Sequence, residues 1–191
     1  ETLSYSMLVD AGNALFVYRY AVVLEDPGHA PEDQPRFEIS MFDQDSMPIS
    51  CGQYEVTASA GIPGFELWYD EEGDSVIYKN WSAVSVDLSS YIGQTVTIRF
   101  ATGDCALGKH FGYAYIDCYC SPLQLTSQFC PGLASTTLSA PPGFAQYLWS
   151  TGETTPDIVV TDPVEGQVLT CTLTSVAGCS ITLSTLLTPS T

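Results

Sequence analysis

Hydrophobic and polar positions along this chain recur with a period of two rather than 3.6. In Val84-Ser-Val-Asp-Leu88 and Thr95-Val-Thr-Ile-Arg-Phe100 apolar and polar residues alternate, the pattern of antiparallel strands with one buried and one wet face. Two further runs, Ala14-Leu-Phe-Val-Tyr-Arg-Tyr-Ala-Val-Val-Leu24 and Gln94 to Thr102, are rich in β-branched and aromatic residues, which suit a pleated surface. The same reading predicts strands over 4–9, 36–43, 54–58, 75–78, 82–88 and 111–119, divided by Gly, Pro, Asn and Asp clusters that supply turn conformations. About eight strands predict a sandwich of the jelly-roll-like kind. After residue 121 the chain has no Lys or Arg and is rich in Thr and Ser, and this shift places a domain boundary between 1–121 and 122–191. The second part reads as short strands over 136–140, 146–150, 157–161, 168–175 and 180–186, with turns at Pro141-Pro-Gly143, Thr151-Gly-Glu153 and Ala177-Gly178. That spacing predicts a smaller immunoglobulin-like sandwich, so the whole chain is expected to be all-β.

Composition narrows the classes of function. Among 191 residues, 22 Asp and Glu stand against 5 Lys and Arg, a net charge of -17, which argues against nucleic acid because phosphate backbones require a basic stripe. The 45% hydrophobic content supplies packed cores and excludes disorder. No apolar run approaches the ~18 residues of a spanning helix, so no direct membrane insertion is expected. The start at Glu1 and the end in Thr-Pro-Ser-Thr read as a piece of a longer precursor. Seven cysteines lack the paired spacing of a zinc-thiolate site. Such a count fits a secreted or cell-surface protein in an oxidising compartment, and its oddness leaves at least one thiol without a partner in the chain.

Candidate chemistry is sparse. His29 and His110 both occupy predicted loops near an aspartate, Asp26 and Asp104 respectively; together they could hold zinc or act as acid and base, or each histidine could simply fix its own loop. Asp and Glu crowd several turns, and hard oxygen ligands suit calcium. The Asp70 to Asp74 group reads as solvated surface, whereas Asp117, following Tyr113-Ala-Tyr-Ile116 in a strand expected to be buried, is the best single ligand candidate. The chain has no Gly-x-Ser-x-Gly elbow, no His-Glu-x-x-His and no Cys-His signature, so a non-enzymatic role is expected. Phe65, Trp68 and Tyr69 could form a platform on which sugar rings stack, while Trp81 and Trp149 read as packing anchors.

The segments Ala14-Leu-Phe-Val-Tyr18, Asp26-Pro-Gly-His29, Gln34-Pro-Arg-Phe37, Tyr91-Ile-Gly-Gln-Thr95 and His110-Phe-Gly-Tyr-Ala-Tyr-Ile-Asp117 resemble a module repeated in giant cell-surface proteins of Bacteroidetes, including gliding-motility adhesins exported by type IX secretion. Thr137-Leu-Ser-Ala-Pro-Pro-Gly-Phe144 and Tyr147-Leu-Trp-Ser-Thr-Gly-Glu-Thr-Thr-Pro156 look like the PKD-like repeats that accompany it. The resemblance implies a non-catalytic, calcium-stabilised stalk or contact module acting in surface attachment and gliding motility, with surface glycans, a solid substratum and neighbouring repeats as partners. Ile116-Asp117 is also similar to the last strand of galactose-binding-like jelly rolls, which implies a structural calcium held by Asp117, the one residue the resemblance carries over; Asp104 and Asp26 are metal candidates only from their residue type and loop position. Beside this frame, Cys118 and Cys171 depart from the family pattern and form one candidate pair; Cys51 with Cys105 and Cys130 with Cys179 are the others, the last because both would lie at one end of an immunoglobulin sandwich. The alternatives are a carbohydrate-binding module of an exported polysaccharide-degrading enzyme, using Phe65 to Tyr69, and a metallohydrolase using His29 and His110.

Overall fold

The computed structural model describes residues 1–71, 73–126 and 128–190. The fold is all-β, as the period-two patterning predicts. The first eight strands are β1 (Thr2–Leu8), β2 (Leu15–Asp26), β3 (Arg36–Phe42), β4 (Tyr54–Thr57), β5 (Glu66–Tyr69), β6 (Ser75–Asp87), β7 (Thr95–Gly103) and β8 (Gly112–Ser121). They form two antiparallel sheets in the orders β1-β7-β3-β4 and β5-β6-β2-β8. The chain passes repeatedly from one sheet to the other, the jelly-roll-like interleaving expected. Alternation decides what lies between the sheets: Phe16, Tyr18, Tyr20, Val22 and Leu24 of β2 meet Phe37, Ile39 and Met41 of β3 and Val96, Ile98 and Phe100 of β7. Tyr20 stacks on Phe37 at 5.4 Å and Tyr18 meets Phe100 edge-on at 6.0 Å, arrangements that add to simple burial.

The remaining strands are β9 (Gln128–Phe129), β10 (Ser135–Ser139), β11 (Gln146–Trp149), β12 (Asp157–Thr161), β13 (Val168–Thr174), β14 (Ser180–Leu186) and β15 (Thr188–Pro189). β10 pairs with β12, β11-β13-β14 form a second sheet, and β15 runs parallel to β9. Trp149 anchors this smaller sandwich as expected: it is fully buried, and its indole N–H donates to the Thr155 carbonyl at 2.9 Å.

Two sequence expectations change. The runs 75–78 and 82–88 are one continuous strand, β6, with a register shift opposite Tyr20 and Val22; a bulge breaks strict alternation and hides the continuity. It also leaves Trp81 outside the core, half-exposed, with the Arg19 guanidinium 5.7 Å from its ring centre, so Trp81 is not a packing anchor. The short β5 escapes prediction because all four of its residues are exposed at a sheet edge and carry no buried face.

The two sandwiches are joined by more than the backbone. Leu15 and Val17, on the outer face of β2, are buried in the second core together with Leu125, Leu138, Trp149 and Leu173. Ser85 N–H donates to the Gly143 carbonyl at 2.9 Å, and Ser85 Oγ donates to the Pro142 carbonyl at 2.6 Å. A side chain at Gly143 would put its Cβ 2.7 Å from Ser85 Oγ, and the residue's φ of +83° also selects glycine. A disulfide links Cys51 to Cys179 with their Cα atoms 6.0 Å apart. This corrects the expected pairs: Cys51 bonds Cys179 across the junction, while Cys105, Cys118, Cys130 and Cys171 remain free thiols. The expectation failed because it joined Cys51 and Cys179 to partners within their own sandwiches.

Two outcomes follow from this architecture. Because the disulfide spans 128 residues of sequence, a Cys51→Ala, Cys179→Ala double variant is expected to lose about 2–5 kcal/mol of stability, read by urea denaturation. Non-reducing peptide mapping should recover Cys51 and Cys179 in one linked fragment; finding either linked elsewhere contradicts the junction. Burial, reinforced by Tyr54, pushes the Tyr18 and Tyr20 phenols far above their usual range. The fold thus favours the neutral phenols, and their contribution is complete below the unfolded value of about 10 and declines as pH rises above it. Phenolate absorbance from this pair is expected to appear only with alkaline unfolding; early ionisation in the folded protein would contradict their burial.

Candidate functional site

Two places concentrate unusual side chains, and both arise from β2 and β8. The first is the outer face of the β5-β6-β2-β8 sheet. β2 and β8 pair with Arg19 opposite Asp117, Ala21 opposite Tyr115 and Val23 opposite Tyr113, so these residues share the face turned away from the core. Along β8 every second residue is exposed and large: Tyr113, Tyr115 and Tyr119, with Asp117 among them. Phe111 stacks on Tyr113 at 5.7 Å, and Tyr113 meets Tyr115 edge-on at 5.9 Å. On the β6 side stand Trp81, held under Arg19, and Tyr78, whose hydroxyl donates to Glu66 at 2.8 Å. Trp68, opposite Val76 on β5, is 55% exposed and Tyr115 60%. The face thus carries a row of large, accessible rings, the kind of patch that is uncommon on a surface without a partner.

The expected platform of Phe65, Trp68 and Tyr69 is not assembled on one face. Trp68 and Tyr69 are consecutive strand residues and point to opposite sides. Phe65 is half-buried against the first core with Lys79 Nζ 5.3 Å from its ring centre. Trp68 alone of the three belongs to the aromatic face. Sequence inspection missed Tyr113, Tyr115 and Tyr119, although their spacing of two was the available signal.

The second place lies at the far end of the same strands, where the loop after β2 meets the loop before β8. His29, Cys105 and His110 converge so that one ligand atom from each lies within 4.8 Å of the others. His29 Nδ1 is 3.2 Å from Cys105 Sγ, and the two imidazoles meet edge-on with ring centres 5.2 Å apart. Of the two readings open for the histidines, a shared place or two separate loops, the structure brings them together, but with Cys105 rather than Asp26 or Asp104 as the third member. Asp26 Oδ1 instead accepts from Gly28 N–H at 3.1 Å and from Gln34 Nε2 at 2.7 Å, shaping the His29 loop. Asp104 Oδ1 accepts from Gly112 N–H at 3.0 Å, closing the His110 loop. The loops are tied to each other by Ala106 N–H donating to the Asp33 carbonyl at 3.0 Å.

Asp117 is not a buried ligand either. It is exposed on the outer face opposite Arg19, because Ala114 and Ile116 are the residues of β8 that turn inward. Oxygen ligands gather elsewhere: Glu25, Asp70 and Asp74 bring carboxylate oxygens within 4.8 Å of one another. Glu25 is only 6% exposed and accepts from Phe111 N–H at 3.1 Å, while Asp70 Oδ1 accepts from Asp74 N–H at 2.9 Å. The Asp70 to Asp74 turn is therefore more organised than a merely solvated surface. Burial, with the Asp117 carboxylate nearby, pushes the Cys118 thiol up, and burial pushes Cys120 up, so neither has the depressed pKa of a reactive thiolate.

No family model, curated protein or solved structure matches the chain.

The loop geometry makes Asp26 a structural pivot. An Asp26→Ala variant withdraws the acceptor from Gly28 and from the buried Gln34 amide, which is expected to cost about 1–3 kcal/mol, while Asp26→Asn should restore part of it. Denaturation of the two variants measures this; equal stability of both with the parent chain would show that the turn does not depend on the side chain.

Proposed function

We propose that this chain is a non-catalytic contact module of a secreted surface adhesin, acting in attachment and gliding over surfaces, and that it touches glycan through the outer face of the β5-β6-β2-β8 sheet. The observation that carries the reading is the row of exposed rings Tyr113, Tyr115 and Tyr119 with Trp68 and Trp81 on the same face. Pyranose rings present apolar C–H faces and a rim of hydroxyls, so a flat array of rings bordered by Glu66, Arg19 and Asp117 offers both stacking surface and hydrogen-bonding groups. The disulfide and the shared Leu15 and Val17 packing support a stalk role, since both oppose bending between the sandwiches under load. The resemblance to Bacteroidetes repeat modules favours an adhesin over a carbohydrate-binding module attached to an exported polysaccharide-degrading enzyme. Both use the same face and differ in the glycans bound.

Structural calcium belongs to the same proposal, with its ligands moved from Asp117 to Glu25, Asp70 and Asp74. Three carboxylates fit the hard-oxygen preference of calcium, and backbone carbonyls and water would complete its six to eight ligands.

Binding to a glycan array, followed by affinity measurements on the best hit, tests the contact face. Trp68→Ala and Tyr115→Ala are each expected to weaken binding about two- to tenfold, whereas Tyr69→Ala, on the opposite side, should leave it unchanged. No glycan binding, or equal losses in all three variants, would overturn the proposal. Calcium is tested separately by the thermal midpoint with excess calcium and with chelator: the parent chain should gain stability as the ion binds the folded state and Glu25→Gln should not. An unchanged midpoint in the parent chain removes calcium from the reading.

A further inference from the structure

We propose that His29, Cys105 and His110 form a zinc site with two imidazole ligands and one thiolate, leaving a fourth position open beside the His29 loop. The donor set is the first argument. Nitrogen and sulfur donors in one cluster suit zinc and exclude calcium or magnesium, which take oxygen. With zinc–nitrogen and zinc–sulfur bonds near 2.0 and 2.3 Å, tetrahedral ligand atoms stand roughly 3.3–3.6 Å apart. The His29 Nδ1 to Cys105 Sγ distance is 3.2 Å, and all three ligand atoms already lie within 4.8 Å. The set is thus within about an ångström or two of tetrahedral spacing.

The loops hold these side chains in place without a metal. Cys105 N–H donates to the His110 carbonyl at 3.0 Å and Gly108 N–H donates to the Cys105 carbonyl at 3.1 Å, so the two ligands five positions apart sit on one tight loop. Gly108 and Lys109 both take positive φ, 84° and 76°, to make that turn. Gly112 is fixed behind it, since a Cβ there would lie 2.9 Å from the Gly103 carbonyl oxygen. Asp26 and Gln34 brace the opposite loop through their 2.7 Å hydrogen bond. Such support from surrounding groups is what orients metal ligands and sets their affinity.

Two buried polar atoms on these two loops, one of them on a proposed ligand, have no hydrogen-bond partner. His110 Nδ1 and Gln34 Oε1 are both enclosed and make no hydrogen bond, a costly condition that calls for a missing ion or water. Gln34 is 4% exposed and, with His29, Pro31, Thr57, Ala58, Ser59 and Ile62, lines a depression of about 320 Å³. Three protein ligands leave zinc one position for water, and the depression, which reaches the cluster through His29, carries an unpaired acceptor in Gln34 Oε1.

The test uses the full chain in which Cys118, Cys120 and Cys130 are replaced by serine, so that Cys105 and Cys171, the latter fully buried in the second core, are the free thiols left while the Cys51–Cys179 disulfide stays intact. After chelation and dialysis, zinc should bind with one ion per chain by elemental analysis and raise the thermal midpoint. Cobalt(II) in its place should give the intense visible bands of tetrahedral coordination and a sulfur-to-cobalt charge-transfer band. His110→Ala and Cys105→Ala should each weaken zinc binding at least tenfold, and Cys105→Ala should abolish the charge-transfer band. The cobalt spectrum of the unsubstituted cluster decides the matter even if a variant fails to fold. Octahedral cobalt without a sulfur band, zinc binding that survives both substitutions, or binding lost only in Glu25→Gln would each overturn the proposal.

Discussion

Burial of β2 on both faces is the constraint on which the rest of the molecule depends. One side of this strand, Phe16 to Leu24, fills the first core, while Leu15 and Val17 on its other side enter the second. A strand buried on one face can tolerate polar residues on the other, but the first turns of β2 cannot, because the second sandwich lies against them. The paired strands β6 and β8 are therefore fixed relative to both cores. Ser85 of β6 carries the hydrogen bonds to Pro142 and Gly143, and the disulfide closes the junction some distance away at Cys179. Apolar contact, hydrogen bonds and a covalent bond thus act at three separate points, which resists bending more than any one of them would.

Beyond Val17 the same outer face is no longer covered, and its character changes within a few residues. Arg19, Ala21 and Val23 continue the face beside Tyr115 and Tyr113 of β8, so the junction and the aromatic surface are consecutive stretches of one sheet. The bulge near Tyr20 turns Trp81 outward onto this surface and places Arg19 over it. An irregularity in strand pairing thus gives the face its second tryptophan, a common use of bulges.

Much of the fold was legible because alternation is written locally. Val84 to Leu88 and Thr95 to Phe100 carry their own buried and exposed positions, and Trp149 is a packing anchor in a short amphipathic strand. What the sequence concealed was of three physical kinds. The bulge interrupts the period at Asn80-Trp-Ser82, which split β6 into two apparent strands. The orientation of β8 is hidden because tyrosine suits either face, so the sequence suggests a buried Asp117 where the inward residues are the small and aliphatic Ala114 and Ile116. Disulfide pairing depends on which loops meet, and Cys51 and Cys179 meet only once the two sandwiches have docked.

The histidine pair was visible only as a possibility for the same reason. His110 and Cys105 are close in sequence, but His29 is brought to them by the antiparallel pairing of β2 with β8, which joins Leu24 to Gly112 at the sheet end. The paired-cysteine spacing that marks zinc ribbons is absent because the three side chains come from two loops with one thiol between them. Asp26 and Asp104, the residues that sequence proximity recommends as ligands, each turn Oδ1 to the loops, Asp26 to Gly28 and Gln34 and Asp104 to Gly112. A carboxylate committed to backbone N–H groups fixes loop shape, and fixed loop shape is what leaves two imidazoles and a thiol facing one another. The aspartates thus position the cluster, and the acidity so prominent in the composition serves, at this end of the molecule, to shape the loops that bring nitrogen and sulfur side chains together.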